Sequence, residues 1–496
     1  MKAGRQITKS GWTRRDLLRR TLWSAACTSG VPSILRAESR MLNIVCILMD
    51  DLGWRDLGCY GSTFYRTPNV DALARDGMRF TEAYAACPVC SPTRAAILTG
   101  RYPARIGLTD YLVGTRRGKL LPAEYLHYLP LHETTVAKVL READYATASI
   151  GKWHLGPEPY YPEHHGFDLN VAGCDLGHPP SYFWPYAAGD RRVPLKNGSD
   201  GEYLTERLTR EAVRFIEANA HRPFFLYLAH YAVHNPMQAP DRWTEPFKAG
   251  RTRTPSQTAE YLEWHGRKVR IVQNNPVYAG MIAAADDGVG QIVRTLKKLG
   301  LYDRTLLLFT SDNGGLSTAE GMPTSNYPLA GGKGWLYEGG IRVPLIIRWP
   351  GKTRPGSVCQ VPVTSTDFFP TLLAAAGLPQ MPELHTDGAN LTPVLDGKRA
   401  VLHDALYWHY PHYSNQGCNP SGAIREGKYK LIEDYETGNC ELFDLETDAG
   451  ETRDLYSLLP ETAARLKEKL SNWRRSVGAR MPRSDAAPSG GTTTQE

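Results

Sequence analysis

The sequence LNIVCILMDD, residues 42–51, decides the fold of this chain, because an apolar run ends there in two acidic residues. The unbroken apolar stretch from Ile44 to Met49 is typical of a β-strand that is buried on both faces. Cys46 lies inside this stretch and is expected to be a core residue. Strands of this kind belong to sheets that helices cover on both sides.

Three further runs of the same kind follow: PFFLYLAHY from residue 223, TLLLFTSD from 305 and RVPLIIRWP from 342. Helical patterns are expected near 68–77, 133–145, 203–219, 277–299 and 367–377. This alternation predicts an α/β fold with a large mixed, mostly parallel sheet sandwiched by helices. In such sheets the ligand lies beyond the carboxyl ends of the strands, so the polar residues that follow each run are the candidate site.

The pattern changes after the Gly- and Pro-rich stretch around residues 377–395. AIREGKYKLIE from residue 423 and CELFDLETD from 440 read as short strands with turns, and an amphipathic helix is expected near 460–475. We therefore predict a catalytic α/β domain over 38–385 and a smaller C-terminal α+β domain over 386–481. The Ser/Gly/Thr-rich tail over 482–496 is predicted to be disordered.

The first 37 residues combine a high positive charge with a targeting pattern. They hold eight basic residues against one acid, a net charge of +7, so the rest of the chain carries −1 and no nucleic-acid partner is expected. TRRDLL at 13–18 is a twin-arginine pattern, and LRA at 35–37 is a candidate cleavage site. We predict a signal peptide over 1–37, the twin-arginine translocase as a partner and a periplasmic location, with Cys27 as an alternative lipid-attachment site. No other stretch reaches the ~20 apolar residues of a transmembrane helix.

Acidic and amide side chains follow two of the predicted strands. Asp50 and Asp51 end the first run, and Asp312 and Asn313 end the third. Hard oxygen donors of this kind suit calcium or magnesium. Both carboxylates of the first pair can face one ion only if the chain turns there, and we attribute this turn to Gly53.

CPVCSPTR, residues 87–94, is the second candidate cluster. We expect a helix with Ser91 as its cap and Pro92 at its first position, so that Cys90 lies just outside a helix N-terminus that favours an anion. Arg94 would lie in the first turn, on the side that reaches position 90. The Cys-x-x-Cys pair also resembles a redox pair or half of a zinc site, although neither another close Cys-x-x-Cys pair nor a close His pair accompanies it.

Four basic side chains complete the candidates. Lys152 and His154, in GKWHLG, would lie on one face of a strand end, because strand side chains alternate. His234 lies where an apolar strand breaks into a loop before a proline. Lys333, held among glycines, is a poor core residue and a good oxyanion ligand. Taken singly, these residues are as well explained as a surface lysine or a structural histidine.

Together these residues resemble one family. Cys90-Ser91-Pro92-Thr93-Arg94, followed by residues 95–100, looks like the signature of the type I sulfatases of the alkaline-phosphatase-like superfamily, in which this cysteine is oxidised to formylglycine. The family pattern covers nearly all of residues 42–475. The resemblance implies catalytic roles for Cys90, Arg94, His154, His234 and Asp312, substrate contacts from Lys152, Lys333 and His234, and calcium ligation by Asp50, Asp51, Cys90, Asp312 and Asn313.

The resemblance also implies which residue carries out each proton transfer, and it implies a set of partners. Asp312 would take a proton from the nucleophile at position 90, His234 would protonate the departing alcohol, and His154 would remove the proton that lets sulfate leave. A formylglycine-generating or anaerobic sulfatase-maturating enzyme would modify Cys90. The substrate would be a sulfated glycan or an aryl sulfate.

Other interpretations remain open at this point. A phosphodiesterase or phosphonate monoester hydrolase of the same superfamily is the closest alternative, although two-zinc members usually have a histidine where this chain has Asn313. A non-catalytic glycan-binding relative would not require Cys90 and Lys333. The segment YWHYPHY, residues 407–413, with His409 and His412, suits either sugar binding or packing between domains.

Overall fold

The computed structural model describes residues 41–114, 116, 118–248 and 259–484. Nine strands form a mixed central sheet, and further strands form smaller sheets. All strands of the described residues are named here in chain order. The strands are β1 (Asn43–Met49), β2 (Met78–Tyr84), β3 (Leu120–Leu121), β4 (Ala146–Gly151), β5 (Leu169–Val171), β6 (Ala187–Ala188), β7 (Arg191–Arg192), β8 (Phe224–Ala229), β9 (Tyr261–Trp264), β10 (Arg267–Arg270), β11 (Thr305–Ser311), β12 (Arg342–Arg348), β13 (Ser357–Cys359), β14 (Val363–Thr364), β15 (Leu406–Tyr410), β16 (Ser421–Glu426), β17 (Tyr429–Asp434), β18 (Cys440–Asp444) and β19 (Arg483–Ser484).

The helices lie between these strands and after them. They are α1 (Pro68–Asp76), α2 (Cys90–Thr99), α3 (Pro103–Ile106), α4 (Val136–Glu142), α5 (Leu204–Ala218), α6 (Asp241–Lys248), α7 (Pro276–Lys298), α8 (Glu338–Ile341), α9 (Phe368–Ala375), α10 (Thr392–Leu395) and α11 (Pro460–Ser476). Short 3₁₀ turns cover Gly58–Tyr60, Pro162–His165, Tyr302–Arg304 and Ser365–Asp367. The five predicted helices are all present.

The central sheet has the order β13-β2-β12-β11-β1-β8-β4-β5, and β14 also pairs with β2. β11, β1, β8, β4 and β5 run parallel, whereas β12 runs antiparallel to both of its neighbours. The predicted mixed, mostly parallel sheet is therefore confirmed. The sequence did not predict β2, because this strand is not an unbroken apolar run and three of its seven residues are only half-buried.

Both faces of β1 are covered, which explains why its sequence does not alternate with polar residues. Val45, Ile47 and Met49 belong to the core that α1, α5 and α7 cover. Ile44, Cys46 and Leu48 face the opposite core, which α2, α4 and α9 cover. Burying each large apolar side chain contributes roughly 1.5–3 kcal/mol. Cys46 is the core residue that the sequence predicted.

The C-terminal sheet is antiparallel, with the order β15-β16-β17-β18, and α11 packs on it through Leu466 and Leu470. Trp408 joins it to the central sheet, because its ring packs on Tyr84 and its Nε1 donates to the Ala85 carbonyl oxygen at 2.8 Å. Within the described residues, no helix combines the length and apolar character that a membrane span needs.

The two ends of the chain are described only in part. The predicted signal peptide over 1–37, including Cys27, and the tail after residue 484 lie outside the described residues. The prediction of disorder from residue 482 is wrong for the first part of the tail. Arg483–Ser484 form a strand that pairs with Leu120–Leu121, and backbone hydrogen bonds hold it there.

A buried ion cluster ties the C-terminal sheet to α8. Lys430 Nζ donates to Glu338 Oε1 at 2.9 Å and to Glu451 Oε1 at 2.8 Å, and all three side chains are fully buried or nearly so. Burial raises the pKa of Glu451 to about 7, although Lys430 opposes the shift. Glu338 is the first residue of α8, which begins shortly after the loop that carries Lys333. The C-terminal sheet thus supports a loop of the candidate site.

We expect Lys430→Met to destabilise the protein strongly, because it leaves the buried Glu451 carboxylate without its cation and leaves Glu338 with the longer contact of 3.4 Å to Arg342. Breaking a buried pair in this way costs about 3–5 kcal/mol, which thermal or urea unfolding measures. Lys428→Met is the matched control, because Lys428 pairs with Asp444 at the exposed edge of the same sheet and should change the unfolding midpoint far less. Equal shifts for the two variants would contradict a structural role for the buried cluster.

Candidate active site

The candidate site lies at one edge of the central sheet, where four neighbouring parallel strands end. The order β4-β8-β1-β11 places the residues after these strands side by side. The structure brings together every site residue that the sequence predicts: Asp50, Asp51, Cys90, Arg94, Lys152, His154, His234, Asp312, Asn313 and Lys333.

The chain turns at Asp51, directly after β1. Asp51 has a φ of 64°, a left-handed conformation that Asp tolerates better than most residues. Its amide donates to Asp312 Oδ1 at 3.2 Å, which holds the turn against the end of β11. The attribution of this turn to Gly53 is wrong. A Cβ at Gly53 would lie 2.6 Å from Asn326 Oδ1, so this glycine is required for close packing.

Helix α2 begins at Cys90 itself, and Val89 is its N-cap. The expectation that Ser91 caps the helix and leaves Cys90 outside it is therefore wrong. Cys90 still lies in the first turn, where free backbone amides favour an anion. Cys90 Sγ lies 3.2 Å from His154 Nδ1, and burial raises the pKa of the thiol.

Lys152 and His154 lie beyond the end of β4, which stops at Gly151. Strand alternation therefore does not put them on one face; instead His154 has a φ of 56°, and its ring meets Cys90. The Lys152 carbonyl oxygen accepts from Arg94 Nη1 at 3.0 Å, which ties this segment to α2. Burial, together with the charges of Lys152 and Arg94, holds the pKa of His154 well below its usual range. The imidazole is thus neutral and able to accept a proton.

Three buried carboxylates each pair with a buried cation at 2.7–2.8 Å: Asp50 with Lys152, Asp51 with Lys333, and Asp312 with Arg94. Cations and carboxylates are equal in number, so these pairs carry no net charge before a ligand binds. Burial alone would raise the pKa of Asp51, but Lys333 and its neighbours outweigh burial, and the pKa lies well below its usual range. Of these cations, the family resemblance implies substrate contacts for Lys152 and Lys333 and a catalytic role for Arg94.

Two buried oxygens of the cluster, Asp50 Oδ1 and Asn313 Oδ1, have no hydrogen-bond partner among the described residues. Asn313 Nδ2 donates to Asp51 Oδ1 at 2.8 Å, so its amide oxygen is the atom left free. An unpaired buried oxygen is costly, and a hard cation would satisfy both. The predicted oxygen ligands therefore fit a calcium ion.

His234 is a further donor beside these carboxylates. Its Nε2 lies 3.5 Å from Asp51 Oδ2, and one ligand atom each of Asp50, Asp51 and His234 lies within 4.8 Å of the others. Its Nδ1 lies 3.1 Å from the Asn235 carbonyl oxygen, so Nδ1 donates and Nε2 faces the site. Imidazole is a frequent zinc ligand, so this geometry also suits the zinc-dependent alternative.

A cavity of about 650 Å³ opens over the site, and Cys90, His154, His234 and Lys333 line it. This volume is typical of small-molecule sites. The wall also includes residues that the sequence analysis missed: His178, Arg191, Glu320, Asn415 and Gln416. They lie in loops and one short hairpin without a repeated spacing. The one sequence feature that could have indicated His178 is GHPP at 177–180. There a histidine lies just before a proline, and in HNP at 234–236 a histidine lies two residues before one.

The aromatic segment 407–413 packs inside the protein and does not line this cavity. His409 Nδ1 lies 2.8 Å from the Tyr435 hydroxyl, and its Nε2 lies 2.9 Å from the Arg480 carbonyl oxygen. His412 Nε2 lies 2.8 Å from Thr109 Oγ1, and both histidines are buried. The sugar-binding interpretation of this segment is therefore wrong, because its polar atoms are already paired within the fold.

Two family models match the chain, and together they span most of it. The model described as Sulfatase matches residues 42–378. The model described as N-sulphoglucosamine sulphohydrolase, C-terminal, matches residues 332–476. The second match covers the C-terminal sheet and α11.

Curated relatives are similar over most of their length. Human arylsulfatase A is 34% identical over 424 residues, which cover 79% of this chain and 75% of the relative. Human N-acetylgalactosamine-6-sulfatase is 36% identical over 387 residues, which cover 74% of this chain and 68% of the relative.

Solved structures share the fold. The structure of Ps i-CgsB in complex with k-i-k-neocarrahexaose is 32% identical, covers 88% of this chain and 93% of that chain, and has a TM-score of 0.73. The phosphonate monoester hydrolase of Agrobacterium radiobacter is 22% identical, covers 90% and 97%, and has a TM-score of 0.65. At that identity the second likeness shows the fold alone.

We expect calcium to raise the thermal midpoint of unfolding, because it satisfies the two free oxygens only in the folded state. A ligand at 100 times its Kd contributes about 2.7 kcal/mol. Asn313→Ala removes one of these oxygens and should reduce the calcium-dependent shift, measured by scanning calorimetry with calcium, zinc or EDTA. Asp175→Asn, at an exposed carboxylate of the cavity mouth, is the control that keeps the shift. A midpoint that rises with zinc and not with calcium would contradict the calcium assignment.

Proposed function

Because this chain belongs to the sulfatase family, it is a sulfuric ester hydrolase, and we propose that it removes sulfate from a sulfated glycan. The observation that carries the proposal is the position of Cys90. Its Sγ lies in the first turn of α2, 3.2 Å from a neutral imidazole, beside three buried cations. Relatives named N-acetylgalactosamine-6-sulfatase support a sugar as the group that bears the sulfate.

We propose that Cys90 acts as formylglycine and that one calcium ion binds beside it. Formylglycine would supply an aldehyde whose hydrate is the nucleophile, and calcium would supply positive charge beside the sulfuryl oxygens. A formylglycine-generating or anaerobic maturation enzyme would carry out the oxidation. We also propose export to the periplasm by the twin-arginine translocase. Because that pathway carries folded proteins, the oxidation would take place in the cytoplasm, before α2 is buried.

The proton transfers follow from the contacts within the site. His154 Nδ1, at 3.2 Å from Cys90 Sγ, is placed to remove a proton from the group at position 90. Asp312 Oδ2 is held by Arg94, so Oδ1, whose contact with the Asp51 amide is 3.2 Å, is the freer atom for taking a proton. His234 Nε2 faces the cavity, and only after the ring takes up a second proton, which the Asp51 carboxylate at 3.5 Å favours, would Nε2 give a proton to the departing alcohol.

Charge stabilisation falls to Arg94, Lys152 and Lys333. Each is buried and bonded to a carboxylate, so the entry of the substrate has to displace little water from them. A fixed positive charge in a low-dielectric site stabilises the negative charge that develops on the sulfuryl oxygens more strongly than a solvated positive charge does.

Hydrolysis of phosphodiesters or phosphonate monoesters is the second candidate. One observation favours it: His234 approaches Asp50 and Asp51 closely enough to share a metal with them. The set of oxygen ligands that includes Asn313 favours hydrolysis of a sulfate ester instead. Its two free atoms are hard oxygen donors, which suit the calcium ion that we propose for that reaction.

We expect position 90 to carry formylglycine when the protein is made in a host that has a maturation enzyme. Peptide mass spectrometry of the segment that ends at Arg94 measures the loss of the thiol directly. Cys90→Ala should be inactive toward sulfate esters, whereas Cys87→Ala should remain modified, because Cys87 lies three residues earlier and its Sγ faces the Thr109 carbonyl oxygen. A stoichiometric thiol at position 90 in active enzyme would falsify the proposed chemistry.

His234→Ala should impair a sugar sulfate far more than 4-nitrophenyl sulfate. A sugar alcohol leaves poorly without a proton, and general acid catalysis contributes about 10²–10⁴-fold, whereas nitrophenolate leaves unaided. The measurement is kcat/KM for both substrates. His132→Ala, at an exposed histidine, is the control for both assays. Equal losses on the two substrates would remove His234 from the acid role.

A further inference from the structure

We propose that Arg191 and His178 form a second anion-binding subsite at the mouth of the cavity. The ligand would be a sulfate or carboxylate on the same substrate, apart from the sulfate that is cleaved. The inference rests on the proposed function and names its substrate class, a sugar with two anionic groups.

The segment around His178 touches both histidines of the site. A Cβ at Gly177 would lie 2.6 Å from His154 Cε1, so the backbone at Gly177 lies against that imidazole. The His178 ring stacks on the ring of His234, with centroids 5.6 Å apart and planes inclined by 12°. His178 is therefore the next side chain outward from the histidine that faces the leaving group.

His178 presents a neutral nitrogen to Arg191. Its Nδ1 lies 3.3 Å from the Pro179 carbonyl oxygen, so Nδ1 carries the proton and donates. Its Nε2 is then an acceptor and takes a hydrogen bond from Arg191 Nη2 at 3.4 Å. Burial, with a contribution from Arg191, lowers the pKa of His178 and keeps the ring neutral. The guanidinium is thus held by a group that does not cancel its charge.

Arg191 lies on β7, in the hairpin with β6, and is exposed at the wall of the cavity. Among the described residues, no carboxylate oxygen lies within 4.0 Å of its guanidinium nitrogens, although Asp175 lines the same cavity. An unpaired guanidinium presents a planar fork that matches a sulfate or a carboxylate.

The position of Arg191 selects the kind of ligand. On the proposed function the cations of the site hold the sulfate that is cleaved, whereas Arg191 contacts His178, the ring that stacks on His234 at the wall of the same cavity. An anion that reaches Arg191 while the first sulfate is bound must therefore lie on the same sugar or on its neighbour. A small aryl sulfate has no such second group.

The test compares the wild type, Arg191→Ala and Arg192→Ala, all with formylglycine content verified. Arg192 is the matched control, because it is the next residue of the same hairpin and is equally exposed. Each variant is assayed with 4-nitrophenyl sulfate, and three sugars are added as competitors: a monosulfated N-acetylhexosamine, its disulfated form, and a monosulfated disaccharide that contains a uronic acid. The inhibition constant of each sugar is measured.

For Arg191→Ala, the inhibition constant of at least one two-anion sugar should rise by about 10-fold or more relative to the monosulfated sugar, because a charge-assisted contact is lost. Whether the disulfated sugar or the uronic acid responds identifies the second anion as sulfate or carboxylate. An unchanged ratio, or the same change in Arg192→Ala, would overturn the subsite. A fully modified wild type that releases sulfate neither from 4-nitrophenyl sulfate nor from any of the three sulfated sugars would instead overturn the proposed function.

Discussion

The site depends on three buried ion pairs at the ends of the parallel strands. Each pair joins a carboxylate that follows β1 or β11 to a cation from another part of the chain: Asp50 to Lys152, Asp51 to Lys333, and Asp312 to Arg94. None of these charges is tolerable alone in the interior, because an unpaired buried charge costs several kcal/mol. The central strands, α2 and the glycine-rich loop must therefore come together for any of them to be stable.

This constraint explains how the surrounding fold supports the chemistry. β1 lies between the parallel strands β11 and β8 and is covered on both faces, so the turn at Asp51 projects from a rigid base. Lys333 comes from a loop that leads into α8, and Lys430 of the C-terminal sheet bonds Glu338 at the start of that helix. The C-terminal sheet thus supports a loop of the site, and its β15–β16 loop adds Asn415 and Gln416 to the cavity wall, whereas its histidines do not reach the cavity.

The two functions that we propose for the cavity involve different sets of residues. Its inner part is made of paired charges and neutral imidazoles on strand ends, which suits the transfer of a sulfuryl group between fixed partners. Its outer part is made of loops, where His178 and Arg191 are held by single hydrogen bonds. Residues that determine which substrate enters commonly lie on loops over a rigid scaffold, and this arrangement follows that rule.

The sequence by itself determined the class of the fold and the membership of the site. Unbroken apolar runs such as residues 44–49 must be covered on both faces, and the polar residues after them must therefore gather at one edge of the sheet. The resemblance at Cys90, together with the companion residues at the other strand ends, added the roles that we propose.

Only the tertiary structure decided the local geometry and the residues of the outer cavity. Whether Asp51 or Gly53 makes the turn, and where α2 begins, depends on contacts such as that between the Asp51 amide and Asp312, 261 residues apart. Arg191 has no periodic or motif signal in the sequence, His178 has only the GHPP segment, and the aromatic segment around His409 did not reveal that His409 is buried. Their surroundings are set by which loops the folded sheet brings together, and pairing across such distances leaves no local trace in the chain.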